Sequence, residues 1–222
     1  MNNKKKLNKA IKSAREVNEI VSLILDKNKI NYSSLDNADK LINEYYKVIF
    51  AYLSISMEHH RSIIELTNVR QLSALALMRP LYESYIRTVW LANCISKQTI
   101  KASIQLFHEL KDGKFPTLRA MCEDIDKIFN TRGNEEEGNM NAFTREFENN
   151  KRLLHSYTHG GAGLIAIVNN HHYRYTYKDM MDILKVINEY VLGATHAYLE
   201  ITGNLVLAEK IHEMIVKNQN IK

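Results

Sequence analysis

The chain has few of the residues that interrupt regular structure. Its 222 residues include two prolines and eight glycines, the residue types least compatible with the interior of a helix. Their scarcity favours long helices joined by short loops. Hydrophobic residues make up 45% and charged residues 25% of the chain, as is typical of a soluble globular protein. The composition therefore predicts an all-α protein that buries a substantial core.

Cysteine is scarce and long apolar runs are absent. Cys94 and Cys122 are isolated thiols without CxxC spacing, so neither a zinc ribbon nor a disulfide framework is expected. The lysine-rich start leads into charged sequence rather than the apolar segment of a signal peptide. No window reaches the length of apolar sequence that spans a bilayer. We expect a cytoplasmic protein without membrane contact.

Motifs for phosphate-binding loops, dinucleotide sites, nucleophile elbows and zinc proteases are also missing, and we expect no cofactor. The net charge of +5 comes largely from lysines near the two ends. Solvated termini explain such a charge more simply than an arm that binds nucleic acid.

Apolar spacing predicts one domain over residues 1–222, an up-and-down helical bundle with additional flanking helices. Residues 1–33 are expected to form a basic N-terminal helix as an appendage, and residues 131–140 an exposed loop. In the second helix an apolar seam should include Tyr52, Ile55 and His59. Pro80 should kink or restart a later helix. Helices are expected at about 7–26, from about 36 to a break near 68, from that break to about 95, and at about 96–112, 117–130, 141–159, 178–202 and 205–216.

The densest group of reactive side chains lies at the end of one predicted helix. Arg152, His155 and His159 follow one another at spacings of three and four residues, which places them on one helical face. One imidazole could take the proton of a ribose 2′-hydroxyl while the arginine stabilises charge on the phosphorus. Tyr157 and Thr158 could add hydrogen bonds to a phosphate. In the alternative interpretation His155 is a buried helix-end histidine and His159 caps helix carbonyls.

A second group is a ladder of charges at helical spacing. Arg79, Glu83 and Arg87 are successive i, i+4 neighbours, so one carboxylate can pair with two guanidinium groups. The ladder lies beside an apolar stripe that contains Trp90, which should shield part of it. Such a pair either fixes the register of helices or presents a charge to a site.

A third interpretation is a metal site. His59 could meet Glu83 and His155 or His159 across the bundle and form a ligand set of the metal-binding type. Di-metal carboxylate bundles need Glu-x-x-His on two helices. Glu209 to His212 is the one such pair in the sequence, so a di-metal enzyme is not favoured.

Two of these segments resemble known sequences. The segment from Arg79 to Glu83, together with the segment from Ser156 to Gly160, resembles a group of uncharacterised bacterial helical domains over roughly residues 41–202. Arg152, followed by six residues and His159, is also similar to the Arg-x4–6-His motif of the HEPN superfamily. Leu153 departs from that motif, where the residue after the arginine is usually polar.

HEPN proteins are helical bundles, and many are ribonucleases of toxin–antitoxin, abortive-infection and CRISPR-linked systems. They usually dimerise so that two motifs form one cleft. The resemblance implies that Arg152 binds phosphate and that His159 is the acid/base.

The sequence thus predicts a HEPN-like, metal-independent ribonuclease or toxin-type defence effector. RNA, a second copy of the chain and an antitoxin or inhibitor protein are its expected partners. The alternative is a non-catalytic helical module that binds a protein or a small ligand and uses the Arg/Glu/His cluster structurally. The expected catalytic residues are Arg152, His159, His155 and Tyr157, and the expected substrate-binding or site-organising residues are Arg79, Glu83, Thr158 and Arg87.

Overall fold

A computed structural model describes residues 3–27, 37–95, 115–131, 141–159 and 176–220, without the side chains at 37–43, 95, 153, 157 and 159. All regular elements in these ranges are helices, which confirms the all-α prediction. A π-helical turn, Leu91–Ile95, continues the fourth helix. The α-helices are α1 Asn3–Lys27, α2 Asn37–Leu66, α3 Gln71–Ala76, α4 Met78–Trp90, α5 Leu118–Thr131, α6 Ala142–His159, α7 Tyr177–Ile201 and α8 Leu205–Gln219.

Helix α7 is at the centre of the packing and contacts α1, α2, α4 and α8. Because neighbours surround it, it buries residues around most of its circumference, among them Leu184, Ile187 and Leu192. A capping box fixes its start: the Asp179 amide donates to Thr176 Oγ1 (3.2 Å), and the Thr176 amide donates to the Asp179 carboxylate (2.8 Å).

Pro80 has the predicted effect on the chain. Helix α3 ends at Ala76, and α4 begins at Met78 after one turn residue, Leu77. Proline donates no amide hydrogen and its ring clashes with the carbonyl four residues earlier, so one continuous helix is disfavoured here. In the restarted helix Pro80 lies in the first turn, where amide hydrogens lack intrahelical partners in any case.

The other predicted helices agree with the structure wherever it describes them. Helices α1, α5, α6, α7 and α8 begin and end within a few residues of the expected positions. The helix predicted for residues 96–112 and nearly all of the loop predicted for 131–140 lie outside the described residues. The described part of the chain holds no helix with the length and apolar character of a membrane span.

The seam predicted for α2 is only partly correct: Tyr52 packs against the core, but Ile55 and His59 do not lie on its buried face. Ile55 is 43% exposed and His59 is half-buried, whereas His60 is fully buried. The observed buried face includes Ile49, Leu53 and Ile63. Sequence spacing alone favoured the line of tyrosines, but a tyrosine can stay at the rim of a core with its hydroxyl near solvent. His60 can be buried because both of its ring nitrogens have partners.

His60 lies in a buried chain of polar side chains that joins four helices. Asn18 of α1 donates through Nδ2 to His60 Nδ1 (3.1 Å), and His60 Nε2 lies 2.9 Å from Asn188 Oδ1 on α7. Asn188 then donates to Asn218 Oδ1 of α8 (3.3 Å). This pattern requires a neutral ring with its hydrogen on Nε2. Burial lowers the pKa of His60 from 6.5 to about 4.

The pKa of His60 predicts an acid-sensitive stability. The unfolded chain takes up this proton near pH 6.5, and the folded protein does so only near pH 4. The free energy of unfolding should therefore fall by about 3 kcal/mol as the pH drops through this window, with no contribution from His60 above it. Denaturant unfolding over a pH series measures this loss.

Two variants isolate the contribution of His60. His60→Leu should have a lower free energy of unfolding than wild type at neutral pH. This difference in free energy should shrink toward pH 4, because the variant has no imidazole to protonate. His212→Leu removes an exposed histidine of α8 and should follow wild type. A constant gap between His60→Leu and wild type across the window would contradict this account.

Candidate functional site

Helix α6 is attached to α5 at its first turn. Asp126 of α5 is 4% exposed, and its carboxylate accepts the amide hydrogens of Phe143 (3.0 Å) and Thr144 (2.8 Å). A negative charge at this position also stabilises the positive end of the helix dipole. Asn141, which precedes the helix, has a φ of 61°, a left-handed conformation that asparagine adopts more readily than most residues.

A second anchor holds α6 against α7. The Tyr190 hydroxyl donates to Glu146 Oε1 (2.6 Å), and the Tyr190 ring stacks on Tyr85 of α4 with 5.0 Å between centroids. Burial raises the pKa of Glu146. Gly193 permits this packing, since a Cβ at that position would lie 3.0 Å from Tyr85 Cε2. Helices α4, α6 and α7 are therefore held together by one aromatic and acidic cluster.

The charge ladder on α4 has the pairing that its spacing predicts. Arg79 Nε donates to Glu83 Oε1 (2.8 Å), and Arg87 Nη1 donates to Glu83 Oε2 (3.3 Å). The three side chains are 21–30% exposed, so protein shields most of their surface. The Arg87 guanidinium also lies 5.8 Å from the ring centroids of Tyr52 and Phe115.

Arg79 also connects the charge ladder of α4 to helix α6. Its Nη1 lies 2.8 Å from His155 Nδ1. A guanidinium only donates, so Nδ1 accepts this hydrogen bond and the ring hydrogen is on Nε2. An imidazolium could not accept it. His155 is exposed, so the alternative that makes it a buried helix-end histidine is wrong.

A cleft of about 470 Å³ lies beside this bond, between α4, α5 and α6. Glu83, Thr117 and His155 contribute to its lining. The cations around it are Arg79, Arg119, Lys151 and Arg152, and its apolar wall is formed by Tyr82, Leu118, Phe147 and Leu154.

The cations of the cleft differ in how far acids neutralise them. Arg119 pairs with Glu123 (2.9 Å) and approaches Glu148 (3.7 Å), and Lys151 also pairs with Glu148. Arg152 is exposed, and no acid within the described ranges pairs with it. Its planar fork is suited to bidentate binding of a phosphate or carboxylate. The cleft is therefore a candidate anion-binding site.

The structure brings together part of the predicted site. Arg152, His155, Arg79 and Glu83 line one cleft. Arg87 touches Glu83 without being part of the lining. Thr158 lies apart from the cleft as well, and its hydroxyl donates to the Leu154 carbonyl one turn earlier (3.1 Å). The prediction that Thr158 binds a phosphate therefore gains no support from its position. The side chains of Tyr157 and His159 lie outside the described residues.

The predicted metal site is not formed by the side chains that the structure describes. His59 is on α2, away from the cleft lining, and Glu83 contacts two guanidinium groups. Within the described ranges no three His, Cys, Asp or Glu side chains gather in a way that could hold an ion. The proposed combination of His59, Glu83 and His155 is not formed.

Comparison with known protein families gives a match over most of the chain. Residues 53–221 match the family of unknown function DUF6988. The chain belongs to this family. No curated protein and no solved structure matches the chain. The resemblance to an uncharacterised helical domain family is confirmed. The DUF6988 region contains α3 to α8 and every residue of the cleft, whereas α1 precedes it and nonetheless packs on α7.

Removing the Asp126 cap should weaken the attachment of α6 and destabilise the protein. Asp126→Ala leaves two amide hydrogens at the start of α6 without their acceptor and should lower the free energy of unfolding by about 1–3 kcal/mol. Denaturant unfolding measures the loss, and amide exchange at Phe143 and Thr144 should accelerate. Asp182→Ala, at an exposed position of α7, is the control and should change stability little. Equal stabilities of the two variants would show that Asp126 does not hold α6.

Proposed function

We propose that this DUF6988 protein is a HEPN-like, metal-independent ribonuclease of the defence-effector type, with Arg152 and His159 as its central pair. The observation that supports the proposal is the position of Arg152. It lies exposed on a cation-lined cleft without an acidic partner in the described part of the chain, beside His155 and Arg79. A phosphodiester is the anion for which such a cleft is suited.

The hydrogen bond from Arg79 limits the role of His155. Its Nδ1 accepts from Arg79 and its Nε2 carries the hydrogen, so the ring has no nitrogen with which to take a proton while that bond lasts. It can donate a hydrogen bond to a phosphate oxygen. The role of general base is therefore assigned to His159, one helical turn further along α6.

The proposed reaction is transesterification within RNA. His159 takes the proton of a ribose 2′-hydroxyl, and the oxygen attacks the adjacent phosphorus. The P–O5′ bond breaks, the 5′-oxygen takes the proton back from the His159 imidazolium, and a 2′,3′-cyclic phosphate remains. Arg152 and Arg79 stabilise the added negative charge on the phosphoryl oxygens. Tyr157 would add a hydrogen bond to the same group, and Glu83 orients Arg79.

The proposal extends to the expected partners and place of action. By similarity to HEPN proteins, two copies of the chain would bring two Arg152–His159 pairs to one cleft. An antitoxin or inhibitor protein would restrain the enzyme in the cytoplasm until it is needed.

A non-catalytic module that binds an anionic ligand is the second candidate. The Arg87–Glu83–Arg79–His155 chain favours it, because each group in that chain already has a partner and His155 is held as a donor. In that case the same cleft binds a phosphate or carboxylate, and the arginines supply affinity without chemistry.

Cleavage assays with matched variants separate the two candidates. Purified wild type should cut a labelled single-stranded RNA in the presence of a chelator and leave 2′,3′-cyclic phosphate ends. Arg152→Ala should slow cleavage by about 10²–10³-fold and His159→Ala by about 10²–10⁴-fold. Induced expression of wild type should arrest growth and fragment cellular RNA, and both variants should relieve this effect.

Arg145→Ala is the control for charge. Arg145 is an exposed cation of α6 outside the cleft, and its replacement should leave the rate unchanged. Circular dichroism checks that all variants fold. If folded Arg152→Ala and His159→Ala cut RNA as fast as wild type, or if wild type cuts no RNA, the ribonuclease proposal is wrong and the binding module is favoured.

A further inference from the structure

Phosphate binding does not explain the apolar wall of the cleft. Phe147 of α6 and Leu118 of α5 are partly exposed and line the cleft. A bare phosphate or carboxylate gains nothing from an aromatic ring. A nucleotide has both an apolar base face and an anionic phosphate, and so matches both parts of the lining.

Two flat groups of the lining are of the kind on which bases stack. One is the Phe147 ring, with the Lys151 ammonium 6.0 Å from its centroid. The other is the Arg119 guanidinium of α5, whose side chain is 60% exposed and is oriented by Glu123 and Glu148. Bases that are not stacked on their neighbours bind against aromatic rings and guanidinium planes.

The positions of the lining residues along α6 would place the base and the phosphate of a nucleotide at different points of the cleft. Phe147, Lys151 and His155 follow one another at i, i+4 and i+8, and all three line the cleft. Arg152 lies about 7.5 Å along the helix axis from Phe147, from the rise of an α-helix. This separation has the length scale of one nucleotide. Its base would lie at Phe147 and its phosphate at Arg152 and Arg79.

The size of the cleft limits the bound part of the ligand to about one nucleotide. Its volume of about 470 Å³ lies toward the lower end of the range of about 300–1,000 Å³ for small-ligand pockets. A base can reach Phe147 only with its face uncovered, as in a single strand and not within a duplex.

We propose that this cleft is a base-binding subsite for one nucleotide of single-stranded RNA, with the base against Phe147 and Arg119 and the phosphate at Arg79 and Arg152. The subsite rests on the proposed ribonuclease function for the identity of the polymer as RNA. A free nucleoside monophosphate carries the same chemistry, and the experiment below separates the two sources.

Binding is measured with a probe that cannot be cleaved. Fluorescence anisotropy at fixed salt follows a labelled 2′-O-methyl RNA oligonucleotide, which has no 2′-hydroxyl to attack, and a second oligonucleotide of the same length with abasic residues. Wild type should bind the base-containing strand about 5–150-fold more tightly, the range for one stacked base. Phe147→Leu keeps an apolar side chain without a ring face and should lose most of this preference.

Two further variants serve as controls. Phe147→Tyr keeps the ring and should retain the preference, which shows that the position tolerates substitution. Tyr177→Leu removes an aromatic side chain that is 43% exposed at the start of α7, outside the cleft, and should bind as wild type does. Equal binding of both strands by wild type, or an unchanged preference in Phe147→Leu, would overturn the subsite.

The outcomes distinguish this inference from the proposed function. If no protein cuts RNA and base-dependent binding still needs Phe147, the subsite stands and the ribonuclease proposal fails. If Arg152-dependent cleavage is present and Phe147 has no effect on binding, the subsite fails and the ribonuclease proposal stands. If adenosine or uridine monophosphate displaces the probe as well as an unlabelled strand does at equal nucleotide concentration, the ligand is the free nucleotide and the RNA assignment is overturned.

Discussion

The hydrogen bond between Arg79 and His155 is the contact on which the candidate site depends. It joins α4 to α6 at the edge of the cleft and links the imidazole to the Glu83–Arg87 pair. Because a guanidinium cannot accept a hydrogen bond, the contact also fixes which ring nitrogen of His155 carries the hydrogen. One interaction thus links the two helices at the site and decides which hydrogen His155 can donate.

The remainder of the fold holds α6 where this contact can form. The Asp126 carboxylate caps the first turn of α6, and the Tyr190 hydroxyl binds Glu146 one turn later. Both anchors are near the start of the helix, while Arg152 and His155 lie in its second half. Side chains carried on a helix that is fixed in this way are placed more accurately than side chains on a loop. The central helix α7 supplies the surface for the second anchor.

The sequence predicts those features that depend on local spacing. The restart of the helix before Pro80 and the Arg79–Glu83–Arg87 ladder follow from positions a few residues apart, and both are present. The Arg79–His155 contact joins residues 76 positions apart, so spacing could suggest a shared region but not the bond. Asp126 was missed although its position, four residues after Cys122 on the apolar face of α5, is an unusual place for a charge. Spacing places His59 rather than His60 in the seam, because periodicity cannot show which imidazole has partners for both nitrogens.

Nitrogen-15 NMR of the His155 ring tests the central contact most directly. At a pH where the ring is neutral, Nδ1 should have the shift of an unprotonated, hydrogen-bond-accepting nitrogen and Nε2 that of a protonated one. Arg79→Met should move the Nδ1 resonance, because its donor is lost, while Arg145→Met should not. A ring with its hydrogen on Nδ1, or an Nδ1 resonance that is the same in wild type and Arg79→Met, would contradict the account.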